Sequence, residues 1–137
     1  MHTVNVPAPT VTKEELTERI LQAYKSTNCK PRRYAYISQY TDELGRHCAC
    51  PMAALALASG MSLRHLIKND AASPHPVLQF AFREFGYAAA SGFIDGFDSN
   101  YANMMRHAVD DPETYEKFYA IGSSVRCRLR QEYPDFD

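Results

Sequence analysis

The residues best placed to do chemistry are His47-Cys48-Ala49-Cys50-Pro51-Met52, which put an imidazole and two thiols beside a proline. Pro51 suits the first position of a helix, where its missing N–H costs nothing, and Ala53-Ala54-Leu55-Ala56-Leu57-Ala58 continues with high helix propensity. Cys50 then becomes the N-cap. The positive end of the helix dipole and the unpaired N–H groups of the first turn favour thiolate over thiol there if that helix start is exposed, whereas a buried packing cysteine would stay neutral.

Two chemistries could use this segment. In the first, His47, Cys48 and Cys50 are ligands of a zinc ion, and Cys29, Cys127 or His65 completes the tetrahedron if the fold brings it close. The sequence offers no second C-x-x-C or H-x-x-x-H half-site to match it. In the second, Cys50 or Cys48 is a nucleophile, His47 or His65 its base, and Asp95 or Asp98 an orienting carboxylate. His107, Asp110 and Asp111 form a further cluster that could hold a cation through carboxylates. Each group also has a plain structural reading: small cysteines packed beside alanines, Asp98-Ser99 as a helix exit, and Asp110 and Asp111 as helix caps.

Binding is the reading with most support. The stretch Lys30 to Arg46 joins Arg32, Arg33 and Arg46 to Tyr34, Tyr36 and Tyr40, and arginine and tyrosine are strong contact anchors for a protein partner. The same residues could follow a nucleic-acid strand through phosphate contacts and base stacking. A formal net charge of −1 opposes that alternative, because the chain as a whole has no field to recruit phosphate.

These side chains need elements to hold them. Thr12-Lys13-Glu14-Glu15 has the form of a capping box, and Leu16, Ile20, Leu21 and Tyr24 follow at helical spacing, which predicts a first helix over about 12–25. Pro31 forbids its extension, and Arg33 to Ser38 has the aromatic and β-branched content of a strand. The turn Asp42-Glu43-Leu44-Gly45 would return it through Arg46 to Ala49, giving a short hairpin before the helix at Pro51. Helices are then expected over 51–59, 62–68, from Pro76 to Phe85, 88–97, 100–109 and 111–130. Apolar residues cover more than one face of the Pro76 helix, which predicts a central place in the core. Gly92 and Gly96 form a small-residue face for close helix contact, where leucine should overpack and alanine be nearly neutral.

The fold class expected is therefore mainly α: a compact bundle of about six helices with a short β-hairpin before Cys48. Residues 1–11 read as a flexible N-terminal arm and 12–137 as a single helical domain. No apolar run reaches the roughly 20 residues that span a bilayer, and no secretory leader is visible, so a cytoplasmic protein with reduced thiols and no membrane partner is expected. Gly92-Phe93-Ile94-Asp95-Gly96-Phe97-Asp98 matches neither a P-loop nor a dinucleotide fingerprint.

The order of a glycine turn, Cys50-Pro51-Met52-Ala53-Ala54-Leu55 and then the Gly92 to Asp98 segment resembles small uncharacterised bacterial and phage proteins with a Cys-Pro-Leu-Gly-Ala-Leu-like segment. Met52 and Ala53 stand where that pattern has Leu and Gly. The resemblance implies that the two segments share one compact helical fold, and it brings no activity with it. The reading reached is a non-catalytic intracellular binding or regulatory module, of the kind a phage or mobile element uses as an inhibitor. It acts through protein–protein contacts and needs no cofactor.

Overall fold

Tyr34, an aromatic residue in the left-handed region at φ 62, divides the expected strand and fixes where the hairpin begins. The computed structural model describes residues 11–100 and 110–136, and its elements run α1 (Lys13–Thr27), β1 (Lys30–Pro31), β2 (Ile37–Thr41), β3 (His47–Ala49), α2 (Pro51–Ala58), α3 (Leu63–Lys68), α4 (Pro76–Phe85), α5 (Tyr87–Asp98) and α6 (Pro112–Glu132). The fold is mainly helical, with six helices among the described residues and one small sheet. The expected arm lies outside those residues except for Val11, which packs partly against the core. The expected helix over 100–109 also lies outside them, save Asn100.

Local chemistry explains the helix starts. Thr12 Oγ1 accepts the Glu15 N–H at 3.1 Å while Glu15 Oε1 accepts the Thr12 N–H at 2.9 Å, closing the predicted capping box. Ser62 caps α3, and Asp111 Oδ1 accepts the Thr114 N–H to cap α6. Cys50 is the N-cap of α2 in position, with Pro51 behind it, although its side chain makes no cap hydrogen bond.

The hairpin forms, but in a different register from the expected one. The strand is Ile37–Thr41 rather than 33–38, because Tyr34 turns the chain out of extended geometry. Ile37 opposes Ala49 and Thr41 opposes His47, so β2 bulges between them. Ser38 fills the gap: its Oγ accepts the Cys48 N–H at 2.8 Å, and its hydroxyl donates to the Tyr40 carbonyl at 2.9 Å. A third strand, β1, pairs in parallel with β3 and makes the sheet mixed, in the order β1-β3-β2.

α2 and α5, rather than α4, occupy the centre. Residues Pro51 to Ala56 are buried without a break, and so is most of α5, whereas α4 turns Gln79, Arg83 and Glu84 to solvent. α5 lies along α6 through three glycines. A methyl group at Gly92 or Gly96 would collide with the backbone carbonyl of Tyr115 or Tyr119, and one at Gly122 with that of Phe93. The small-residue face is thus tighter than expected, and alanine at Gly96 is not neutral.

Candidate functional site

The C-terminal end of α5 is where the loop after β1, the start of α2 and the end of the core meet. A Ser99 cap at φ 59 closes α5, leaving the last carbonyls to find donors outside the helix. Two arginines supply them. Arg126 of α6 donates through Nη1 to the Gly96 and Phe97 carbonyls at 3.1 and 3.3 Å and to Ser99 Oγ. Arg33 donates through Nη2 to the Asp98 carbonyl at 2.8 Å, and its guanidinium stacks over the Tyr34 ring at 4.7 Å. The Tyr34 N–H then donates to Asp98 Oδ1 at 3.0 Å. This latch holds an aromatic side chain in left-handed geometry while leaving it 67% exposed.

Beside the latch opens a cleft of about 220 Å³, lined by Tyr34, Ala35 and Tyr36 from the loop, Cys50, Pro51 and Met52 from the start of α2, and Phe93, Ile94, Phe97 and Asp98 from α5. Its walls are apolar and aromatic, and burial disfavours the charged forms of Cys50, Tyr36 and Asp98 among them. The Cys50 thiol is pushed up to about 12, chiefly by burial, with the Asp98 charge adding to the rise. The N–H groups of Ala53 and Met52 do favour its thiolate, as the helix-start argument predicts, but desolvation outweighs them. A reactive thiolate at Cys50 is therefore corrected to a neutral packed thiol. The Tyr36 hydroxyl is likewise raised to about 12 by burial and then by Cys50, Asp98 and Asp70. Asp98 is raised by burial, against the Tyr34 N–H and the Arg33 and Arg126 charges that lower it.

The histidines are engaged elsewhere. His47 Nδ1 sits 2.9 Å from the Ser38 carbonyl, on β3 and outside the cleft lining. His65 is exposed on α3, where its ring lies against Asn69. Among the described residues the histidine nearest the site is His75, which is buried and stacks on Tyr36 with ring centroids 4.1 Å apart. Its Nε2 lies 3.1 Å from Asp70 Oδ1, and its Nδ1 accepts the Val77 N–H at 3.0 Å to cap α4. That network requires Nδ1 to be the bare nitrogen and leaves it no lone pair for a substrate proton. Prolines on both sides of His75 were the available signal.

Of the proposed zinc ligands, His47 and Cys48 are successive residues of one strand and leave it on opposite sides, and Cys127 is exposed on α6 beside Lys13 and Glu18 of α1. Among the described residues no three of the His, Cys, Asp and Glu side chains come together to hold a metal ion. His107, of the second cluster, lies outside the described residues.

The binding stretch separates into two parts. Tyr34 and Tyr36 line the cleft and Arg33 belongs to the latch beside it, with Arg32 exposed next to them. Tyr40 is 78% exposed at the far end of β2, where Arg46 is held by Asp42 and Asp135 at 2.8 Å each and Lys30 by Asp135 at 3.2 Å. Sequence reasoning missed the floor of the cleft, Met52, Phe93, Ile94 and Phe97. The repeated Gly-Phe four residues apart was the trace of it, since that spacing puts Phe93 and Phe97 on one face of α5. Comparison with protein-family models, with curated proteins and with solved structures gives no match to this chain.

Proposed function

We propose that the protein is a non-catalytic binding or regulatory module that works by protein–protein contact, with the cleft between Tyr34, Met52 and Phe97 as its anchor pocket. The observation that carries this reading is the latch. Backbone strain of order 1–3 kcal/mol at Tyr34 serves no core packing, because the side chain it presents is exposed at the mouth of an apolar cleft. Aromatic side chains beside a concave apolar floor are what partner anchors seat against.

Other functions draw less support. Catalysis through Cys50 draws less support because, among the described residues, no histidine lines the cleft beside it. Nucleic-acid binding loses most of its cations, as Lys30 and Arg46 are neutralised by carboxylates and Arg33 is turned inward to α5. Among the described residues no helix is long and apolar enough to cross a membrane. All four cysteines are free, which suits the reducing interior of a cell.

Selection of peptides from a random library tests the reading, with counter-selection against the cleft-blocking variant Ile94→Arg. Peptides should be enriched on the unmodified protein and lose tenfold or more in affinity to Tyr34→Ala, while Tyr40→Ala binds them as before. If none is enriched over Ile94→Arg, or if those enriched depend on Tyr40 instead, the cleft is not the binding surface.

A further inference from the structure

The chemistry of the cleft says which side chain of a partner it takes, on the reading that the cleft is an anchor pocket. At about 220 Å³ it is smaller than the roughly 300–1,000 Å³ of sites for drug-sized ligands, so it holds one ring-bearing side chain and little more. The rings of Tyr34, Tyr36, Phe93 and Phe97 and the thioether of Met52 line it, and aromatic and sulfur–aromatic contacts favour a flat occupant.

Asp98 sets the polar requirement. Its Oδ1 accepts the Tyr34 N–H, and its Oδ2 makes no hydrogen bond among the described residues. The Tyr34 N–H and the Arg33 and Arg126 charges favour the carboxylate, whose oxygens accept only, so an occupant that meets Oδ2 donates to it. That donor need not be a cation. Arg33 and Arg126 already act on Asp98 from the loop and from α6, against its own charge and that of Asp95, and a further cation would enter a balanced site and lose its hydration. The cleft therefore matches a neutral ring with one N–H and no acceptor of its own, which among side chains describes indole.

We infer that the cleft receives a tryptophan side chain from a partner protein, its ring between Tyr34 and the Met52–Phe97 floor and its Nε1–H donating to Asp98 Oδ2. Tryptophan is also among the residues that most often dominate interface energetics. The chain contains nine tyrosines and no tryptophan, so indole excited to the red of tyrosine absorption reports occupancy by its own emission.

The probes are indole, followed by its own fluorescence, and benzothiophene, the same fused ring with sulfur in place of the N–H, followed by competition. Indole should bind saturably with a blue-shifted emission, and benzothiophene at least tenfold more weakly although it is the more apolar ring. Asp98→Asn keeps an oxygen for the Tyr34 N–H and puts an NH2 donor in the place of Oδ2, so indole should fall to the level of benzothiophene while benzothiophene binds as before, which separates loss of the acceptor from collapse of the cleft. Equal binding of the two rings to the unmodified protein overturns the assignment of Asp98 as acceptor. If neither ring binds, or if selected peptides that lose affinity to Ile94→Arg carry leucine or phenylalanine in place of tryptophan, the inference fails and the anchor pocket stands. If no such peptides exist, both fail.

Discussion

The two ends of the small sheet use the same residue types to opposite effect. At the hairpin end, Asp42 and Asp135 surround the half-buried Arg46 and Lys30, and hydrogen bonds from those cations and from backbone N–H groups hold both carboxyls below the usual aspartate range. At the cleft end, Asp98 has Arg33 and Arg126 nearby, yet burial lifts it above that range. Pairing decides the first case and desolvation the second. The lesson is that a sequence rich in Asp and Arg marks neither a site nor a scaffold by itself. The hairpin end is a paired clasp fastening the C-terminal segment to the sheet, and the cleft end is a place where a carboxyl is set against an apolar wall.

Thiol labelling puts the widest gap between a buried cleft and an open surface. With its pKa near 12, Cys50 has a thiolate fraction at neutral pH roughly a thousandfold below that of an ordinary cysteine. Alkylation followed by mass spectrometry should modify the exposed Cys127 quickly and Cys50 only on unfolding. Rapid folded-state labelling of Cys50, with a midpoint below about 8.5, would restore the helix-start thiolate and break the contrast.

Glycines sharpen it next. Gly96→Ala drives a methyl into the Tyr119 carbonyl beneath the cleft, and overpacking of that kind costs about 1–3 kcal/mol. Gly45 of the hairpin turn, at φ 77, has open space around it, so Gly45→Ala meets only the left-handed penalty of about 1 kcal/mol. Thermal melts of the two variants should rank in that order. The reverse ranking would mean that α5 and α6 can part without loss.

The smallest effect carries a sign. Asp98 has a raised folded-state pKa, so its contribution to stability is fully present below the unfolded value of about 3.9 and is lost as pH rises through the folded one. Asp135 has a lowered one, so its contribution is present above the unfolded value and is lost as pH falls through the folded one. From pH 3 to pH 7, Asp98→Asn should therefore gain on the unmodified protein in Tm while Asp135→Asn loses ground to it. Carboxyl carbon shifts from NMR give the two midpoints directly, and slopes of the same sign would erase the distinction between the two ends.

Local sequence determined most of the elements. Thr12, Ser62, Asp111, Pro51, Pro76 and Pro112 mark helix starts through bonds or geometry confined to one turn, which is why they are legible in order along the chain. The turn at Asp42 to Gly45 is of the same kind, since Asp42 Oδ1 accepts the N–H groups of Leu44 and Arg46 within four residues. What only the tertiary structure decided was everything carried by partners far apart in sequence. The latch joins Tyr34 to Asp98 across 64 positions, and it moved the strand and bent Tyr34 out of it. The cleft floor comes from two helices, and the third strand pairs in parallel across α1's exit and the hairpin. Cys50 shows the limit most clearly. Its place at a helix start was readable from Pro51 and the alanines, and that place favours a thiolate. Its burial depends on what Tyr36, Phe93 and Asp98 do from elsewhere in the chain, and in water's absence the neutral thiol wins.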